Sequence, residues 1–429
     1  MEIERPFYLE QLKRKKNNGR IKIITGMRRA GKSYLLFQLY RKELLKEGVR
    51  EEAILTISLD ELSHARERNP MELDAWVRSR IVDPKKTYYV FIDEIQFVEP
   101  MPNPYVPGAV ITFVDVVMGL MKLPNLDLYI IGSNSHMLSS DILTQFRDRG
   151  DEIRVYPLSY KEFLEIWTGD PRMAFNEYCT YGGMPVVQSL SGHEEKSRYL
   201  KDLFTGTYIR DVIERQHIAK DETVLEELLD ILSSSIGSFT NPAKLSRTFE
   251  SMGHIRLSPP TIAKYIDYFI DAFLLEKAQR YDIKGKRYIS TPYKYYFTDV
   301  GLRNARLNFR QQEPTHIMEN VIFTDLCRRG LDVDVGMVEY NYRDSEGKKL
   351  RKNFEVDFVV NGGNRRWYIQ SAFRMDTEEK RRQETESLRH IDDSFQKIVI
   401  LRDPIIPWQD EKGILYMGVE QFLTGDEMK

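Results

Sequence analysis

The sequence has few cysteines and no long apolar run. Its 2 cysteines, Cys179 and Cys327, exclude a disulfide framework, and no Cys/His cluster offers a zinc site. The most apolar stretch, Val110–Leu123, is short and contains Asp115, so we expect no transmembrane helix and no membrane partner. The segment Met1–Leu12 carries charges and no apolar run, which indicates no secretory signal. These absences together predict a cytoplasmic protein.

The sequence also has almost no net charge. Its 63 Lys and Arg residues balance 65 Asp and Glu residues, so composition does not indicate nucleic acid or an anionic membrane as an obligatory partner. The apolar fraction of 41% and the charged fraction of 30% are typical of a globular protein. A length of 429 residues suggests roughly three domains of about 150 residues each.

Five short apolar runs alternate with helix-length segments in the first third of the chain. Runs of this kind, bounded by Gly, Pro or Asp, are typical of buried parallel strands. Their alternation with helices predicts an open α/β sheet. The Pro-rich segment Glu99–Gly108 predicts an ordered surface insertion. The five runs are Ile21–Thr25, Ala53–Leu59, Tyr88–Ile92, Leu126–Gly132 and Ile153–Tyr156.

A phosphate-binding loop follows the first run. Residues 26–33, GMRRAGKS, match the pattern GxxxxGK[ST] without a gap, between a predicted strand and a predicted helix. The two glycines let the backbone N–H groups turn toward phosphate oxygens, Lys32 reaches the β and γ phosphates, and Ser33 ligates magnesium. The N-terminus of the following helix favours the same anion. The sequence therefore predicts a site for ATP and Mg²⁺, whose nucleotide contacts are Gly26, Arg28, Arg29, Ala30, Gly31, Lys32, Ser33 and Tyr34.

Two carboxylates end the third run. Asp93 and Glu94 follow the predicted strand Tyr88–Ile92, two strands after the phosphate-binding loop. Asp93 is suited to hold magnesium through water. Glu94 is suited to polarise the attacking water as a general base. The pair predicts ATP hydrolysis in addition to ATP binding.

Polar residues beside the fourth and fifth runs are further candidates. Because ligands lie beyond the carboxyl ends of parallel strands, Ser133 or Asn134 is a candidate contact of the γ phosphate or the attacking water, with a simple turn as the alternative. Arg147 and Arg149 precede the fifth run. An arginine that reaches a neighbouring subunit's phosphate stabilises charge in the transition state, with a solvated basic turn as the alternative.

Several segments resemble a known family. The loop GMRRAGKS and the segments FIDEIQ, IIGSNSHMLSSDI and FRDRGDEIRVYPLSYKEFLE are similar to bacterial and archaeal AAA ATPases that carry a C-terminal domain of unknown function. The resemblance covers nearly the whole chain. The family has a Gly-Arg pair where this chain has Asp148 and Arg149, and it implies that Arg149 is the matching arginine. It also implies the Walker and sensor roles for Lys32, Asp93, Glu94 and Asn134.

The pattern changes to helical spacing after Pro157. Three predicted helices, at Val224–Ser235, from about Asn241 and from the N-cap candidate Ser258, precede an extended aromatic hairpin and together predict a winged helix. Aspartates on the outward face of the third helix would be repelled by DNA phosphates, so a protein contact or a contact between subunits is the favoured role. The basic residues of the candidate wing, which keep DNA open as a partner, are Lys284, Lys286 and Arg287.

The last third of the chain resembles the restriction-endonuclease-like fold. Glu319, Glu355 and Asp357 stand where such a site gathers acidic residues around magnesium. Gln370 stands where a further acid is expected, and Ala372 stands where the lysine is expected. We therefore expect a fold kept for binding, with nuclease activity only if another residue replaces the lysine in space.

The predicted fold class is α/β, with four domains. They are a P-loop AAA-type ATPase core at 1–156, a helical lid-like segment at 157–220, a winged helix at 221–300 and a nuclease-like C-terminal domain at 301–429. The predicted function is a homo-oligomeric ATPase that hydrolyses ATP with Mg²⁺ to move these domains against DNA or a partner protein. Two alternatives remain, a nucleotide-gated interaction switch with little turnover and a DNA nuclease coupled to an ATPase.

Overall fold

Strands and helices alternate along both halves of the chain, and the predicted α/β fold class is confirmed. The computed structural model describes residues 3–132, 146, 149–209, 212–213, 218, 222–251, 257–310, 313–343, 348–425 and 428. Contacts within the chain divide it into a first unit, Met1–Pro157, and a second unit, Leu158–Lys429. Within the described residues, every helix is too short or too polar to cross a membrane.

A five-stranded parallel sheet forms the centre of the first unit, in the order β2-β3-β6-β1-β7. The central strands β1, β3 and β6 are almost completely buried, as the continuous apolar runs predict. A separate antiparallel pair, β4 with β5, forms in and after the predicted surface insertion. The strands are Ile21–Thr25 (β1), Ile54–Ser58 (β2), Tyr88–Asp93 (β3), Met101–Pro102 (β4), Val110–Ile111 (β5), Leu126–Ile131 (β6) and Gly150–Arg154 (β7).

The fifth strand of this sheet begins earlier than the sequence predicts. The apolar run predicts Ile153–Tyr156, but β7 is Gly150–Arg154, because Gly150 pairs with Ile21 and Arg154 pairs with Thr25. As an edge strand, β7 is only half buried, so it admits the polar residues that an apolar run excludes. The prediction for this strand was therefore wrong in its bounds.

Helices flank the first sheet. The apolar stretch after the insertion starts a helix because the Thr112 side chain accepts from Val114 N and the Asp115 carboxylate accepts from Thr112 N. The helix after the phosphate-binding loop is continuous through a π-helical segment, Leu35–Tyr40. The α-helices are Pro6–Lys15 (α1), Lys32–Tyr34 (α2), Arg41–Lys46 (α3), Pro70–Arg80 (α4) and Phe113–Leu120 (α5).

An eight-stranded mixed sheet forms the centre of the second unit, in the order β14-β15-β13-β12-β11-β10-β8-β9. One apolar cluster contains Tyr296, Phe323 and Phe358, and a second contains Val356 and Leu388. The strands are Leu275–Asp282 (β8), Arg287–Phe297 (β9), Asp332–Arg343 (β10), Lys349–Gly362 (β11), Arg365–Ala372 (β12), Gln396–Leu401 (β13), Trp408–Gln409 (β14) and Ile414–Gly418 (β15).

The hairpin β8–β9, which the sequence assigns to the winged helix, is part of this same sheet. Its strand β8 pairs in parallel with β10, so the sheet crosses the predicted domain boundary at residue 300. The predicted N-cap is confirmed, because the Ser258 side chain accepts from Thr261 N. The winged helix and the domain boundaries remain predictions.

The helices of the second unit occupy most of its first half and separate strands of the second. A π-helical segment, Phe204–Ile209, extends the third of them. The α-helices are Tyr160–Ile166 (α6), Ala174–Tyr181 (α7), Gly192–Leu203 (α8), Glu222–Ser234 (α9), Pro242–Ser251 (α10), Pro259–Asp271 (α11), Val300–Arg306 (α12), Pro314–Arg328 (α13), Glu378–Arg389 (α14) and Val419–Thr424 (α15).

Candidate active site

The loop 26–33 joins the buried end of β1 to helix α2. Gly26 and Gly31 have φ angles of 124° and 94°, in the region where glycine alone is unstrained. A Cβ at Gly26 would also lie 2.1 Å from the carbonyl oxygen of Val155, so no larger residue fits there. Both glycines of the sequence pattern are therefore required by the backbone, independently of any ligand.

Lys32 is buried under this loop. Its side chain is 5% exposed, and Nζ donates to the carbonyl oxygens of Gly26 and Met27 at 2.9 and 2.8 Å. Lys32 also lies near enough to Asp93 for its positive charge to act on that carboxyl. A lysine ammonium held under a loop bounded by two glycines fits the anionic part of ATP.

Ser33 and Asp93 bring two oxygen ligands together at the edge of the sheet. Asp93 ends β3, is 4% exposed and accepts a hydrogen bond from the Ser33 side chain. Burial raises the pKa of Asp93 to about 6, and the charge of Glu94 adds to the increase, whereas the bond from Ser33 opposes it. Magnesium prefers such hydroxyl and carboxylate oxygens, so the donor set fits Mg²⁺.

Glu94 follows in an uncommon backbone conformation. Its φ angle of 49° is left-handed, which a residue other than glycine rarely adopts. Its N–H donates to Asp93 Oδ1 at 2.9 Å, and Gln96 Nε2 donates to Glu94 Oε2. The strained backbone turns the chain directly after the strand, and such strain is common where a side chain must be aimed at a functional site.

Arg5 is a supporting residue that the sequence does not reveal. It is 2% exposed, and its guanidinium donates to Ala30 O at 3.0 Å and to Tyr156 O at 2.9 Å. It thus ties the phosphate-binding loop to the segment after β7. Because these carbonyl oxygens are distant from Arg5 in sequence, no local pattern could have identified the contact.

Comparison with known proteins identifies the family. A sequence profile described as an AAA domain matches residues 18–164, and one described as a domain of unknown function (DUF8612) matches residues 172–313. An uncharacterised protein of Haemophilus influenzae is 33% identical to this chain over 403 residues, which are 93% of either protein. The chain belongs to the AAA family of P-loop ATPases.

More distant proteins are also similar to this AAA protein. An uncharacterised protein of Methanocaldococcus jannaschii is 27% identical over 382 residues, covering 85% of this chain and 77% of that protein. A Walker-type ATPase of Pyrococcus abyssi superposes with a TM-score of 0.49 at 14% identity, covering 71% of this chain and 96% of that one.

The remaining predicted site residues of the AAA protein either lie within the described residues or fall outside them. Arg28 and Tyr34 are half-buried, and Arg29 is exposed with a left-handed φ of 62°. Ser133, Asn134 and Arg147 lie outside the described residues, so the sensor role of Asn134 stays a prediction. The described part of that segment ends at Gly132, whose N–H donates to Ile24 O beside the phosphate-binding loop.

Arg149 lies at the end of the parallel sheet where β1 begins, opposite to the end that carries the phosphate-binding loop. It is exposed, precedes the pair Gly150–Ile21 at the start of β1, and donates to Met118 Sδ at 3.7 Å. The phosphate-binding loop follows the other end of β1, about 13 Å further along the strand. Arg149 therefore lies far from the nucleotide site of its own chain.

A second group of charged residues is buried in the second unit. Lys294 of β9 is 3% exposed, and its Nζ lies 2.7 Å from Glu319 Oε1 and 2.6 Å from Glu355 Oε1. Asp357 Oδ2 accepts from Gln370 Nε2 and from the backbone N–H of Ser371, each at 2.8 Å. We call Lys294, Glu319, Glu355 and Asp357 the acidic cluster.

The electrostatics of the acidic cluster depend on its lysine. Burial lowers the pKa of Lys294, but the carboxylates of Glu319, Asp357 and Glu355 outweigh burial, so the pKa lies above its ordinary value. Burial and the charge of Glu319 raise the pKa of Asp357 well above its ordinary value. Within the described residues, no group of three or more His, Cys, Asp or Glu side chains is arranged to hold a metal ion.

Sequence reasoning missed Lys294 because it lies on a strand assigned to the winged helix. Ala372 of β12 offers no cation, but the sheet brings Lys294 of β9 beside Glu319 and Glu355. Lys294 thus holds the cationic position in the cluster. Absence of nuclease activity stays a prediction.

Lower pH should weaken Mg-ATP binding. Above pH 6 the Asp93 carboxyl is ionised and suited to magnesium, whereas below its raised pKa of about 6 it is neutral and a poor ligand. We therefore expect affinity to fall as pH decreases from 7.5 to 5. Calorimetry measures the affinity of the wild type and of Asp93→Asn for Mg-ATP at each pH. The ratio of the two affinities removes the effect of ATP's own protonation, because that effect is the same for both proteins. A constant ratio would show that Asp93 does not bind the metal.

Proposed function

We propose that this AAA protein binds ATP with Mg²⁺ and hydrolyses it, and that hydrolysis drives a conformational change of a homo-oligomer acting on DNA or a protein partner. The observation that carries the proposal is the arrangement at one edge of the parallel sheet. There a buried ammonium, Lys32, lies close to the Ser33–Asp93 pair and to Glu94. Cation, magnesium ligands and general base are the groups that phosphoryl transfer requires.

The roles follow from the chemistry of each group. The loop N–H groups and Lys32 would hold the β and γ phosphates, and Ser33 and Asp93 would hold the metal. Bound Mg²⁺ supplies charge neutralisation on the phosphate oxygens. Glu94 would accept a proton from water as its oxygen attacks the γ phosphorus, and the bond to the β–γ bridging oxygen then breaks to release ADP. Asn134 remains a proposed contact of the γ phosphate.

Lys32→Ala should abolish tight ATP binding, since the β and γ phosphates lose the lysine that the GxxxxGK[ST] pattern supplies. Calorimetry measures affinity, and steady-state phosphate release measures turnover. Unchanged affinity in the variant would rule out the P-loop site. Release of no more than one phosphate per wild-type chain would instead favour the nucleotide-gated switch.

Arg149→Ala should bind ATP normally and hydrolyse it poorly, because its distance from its own loop leaves action on a neighbouring subunit. Mixing Arg149→Ala with Lys32→Ala chains should then restore part of the activity, since some mixed interfaces pair an intact loop with an intact arginine. Phosphate release across mixing ratios, with subunit exchange verified by labelled chains, provides the measurement. Activity that equals the sum of the two variants at every ratio would exclude action in trans.

A further inference from the structure

Strands β10 and β11 extend beyond their neighbours in the second sheet. Within the described residues, β10 pairs with β8 only over Val335–Met337, and β11 pairs with β12 only over Phe358–Gly362. The two strands continue together through five further cross-strand pairs, between residues 339–343 and residues 349–353. At about 3.4 Å per residue, this segment is about 17 Å long. We call it the ribbon.

One face of the ribbon is anchored to the end of helix α14. The Tyr340 ring stacks on His390, which follows that helix, with centroids 4.1 Å apart, and it is nearly parallel to Tyr342 at 10°. Lys352 Nζ lies 3.7 Å from Glu386 Oε2. These contacts give the ribbon a fixed base, because an isolated two-stranded hairpin is marginally stable in water.

The opposite face of the ribbon is open and carries hydrogen-bond donors. Because side chains alternate between the two faces of a strand, this face holds the neighbours in sequence of Tyr340, Tyr342 and Lys352. Its acid, Glu339, is already paired with Arg351 at 2.5 Å. The exposed residues of this face are Asn341, Arg343, Lys349, Arg351 and Asn353.

The ribbon and its turn carry an excess of basic residues, whereas the whole chain has almost no net charge. From Glu339 to Asn353 the sequence has 5 basic and 3 acidic residues, counting Asp344 and Glu346 of the turn, which lies outside the described residues. The whole chain has 63 basic and 65 acidic residues. A local excess of cations on an exposed element is the electrostatic complement of a polyanion.

We propose that the open face of the ribbon is a docking surface for double-stranded DNA. The major groove admits a two-stranded β-ribbon, arginine and lysine contact phosphates or guanine, and asparagine contacts adenine. Single-stranded DNA would instead stack its bases on aromatic rings, and on the ribbon the rings of Tyr340 and Tyr342 lie on the other face, with Tyr340 stacked on His390. Duplex DNA would be the partner in the proposed function, on which this docking role rests, but the binding itself requires no nucleotide.

The test is fluorescence anisotropy of a labelled 24-base-pair duplex with the full chain, without ATP, at several salt concentrations. The double variant Arg343→Ala/Arg351→Ala should lose at least about 10-fold in affinity, and the salt slope should fall by about 2, since each phosphate contact contributes about 0.9. Arg66→Ala is the matched control, because Arg66 is also exposed and paired with a glutamate, Glu72. It should bind as the wild type does, and thermal melting should show all variants folded.

Three results would overturn the inference. The first is no duplex binding by the wild type at low salt, and the second is tighter binding of the single strand. The third is loss of binding in a variant with alanine at the candidate wing residues while the ribbon variant binds normally. ATP hydrolysis is measured on the same preparations, so failure of DNA docking is distinguished from failure of the proposed ATPase activity. The wing residues are Lys284, Lys286 and Arg287.

Discussion

Glu94→Gln should retain ATP and lose hydrolysis by about 10²- to 10⁴-fold, the range typical of a general base. The amide has nearly the shape of the carboxylate but cannot accept a proton from water. The left-handed backbone at Glu94 and the bond from Gln96 do not require a charge, so the fold should be unaffected. Steady-state phosphate release and ATP calorimetry, measured on the same preparation, separate hydrolysis from binding.

Glu99→Gln is the matched control for this variant. Glu99 is exposed and follows the same strand by a few residues, so the change removes one negative charge from the same region. Its hydrolysis rate should equal that of the wild type. If Glu94→Gln also hydrolyses ATP at the wild-type rate, Glu94 is structural and another group must activate the water.

Lys294→Met should destabilise the second unit by about 3–5 kcal/mol, the usual effect of removing one partner from a buried ion pair. The change leaves the carboxylates of Glu319 and Glu355 without their cation at 2.7 and 2.6 Å. For a unit of this size, at about 2.1 cal/mol/K of unfolding entropy per residue, that loss corresponds to a fall of about 5–9 °C in melting temperature. Circular dichroism melting at pH 7.5 measures the change.

The direction in which the stability loss of Lys294→Met changes with pH tests whether uncompensated carboxylates cause that loss. Without Lys294 the buried carboxylates favour their neutral form, so lowering the pH to 5.5 should reduce the difference from the wild type. Adding Glu319→Gln to Lys294→Met should also recover part of the loss, since it removes an uncompensated charge. Lys277→Met, on the exposed part of the same hairpin, should change stability by less than about 0.5 kcal/mol. An equal effect of both lysines would show that the acidic cluster does not depend on Lys294.

The phosphate-binding loop could be predicted because its chemistry is local. Eight consecutive residues supply the two glycines, the lysine and the serine of the pattern, and the flanking periodicity identifies the strand and the helix. The position of Asp93 and Glu94 at the carboxyl end of β3 was also predictable, since a continuous apolar run precedes them. Their roles with the metal and the attacking water stay predictions. The sequence thus established the α/β fold class and the AAA resemblance that the comparisons confirm.

Other features depend on pairings between distant segments. The bounds of β7 depend on its register with β1, and the contact of Arg5 with Ala30 O joins residues far apart in sequence. No local periodicity contains that information, because it arises only when elements pack. Half-buried edge strands such as β7 also lack the continuous apolar run that identifies a central strand.

The acidic cluster shows most clearly which features follow from the sequence and which depend on packing. The sequence by itself predicted, through a resemblance, that Glu319, Glu355 and Asp357 gather in one site, and it determined that Ala372 offers no cation. Only the tertiary structure decided that Lys294 lies beside Glu319 and Glu355, because β9 joins the same sheet through β8 and β10. Charge balance in a buried site depends on distances in space, whereas a sequence pattern records only spacing along the chain.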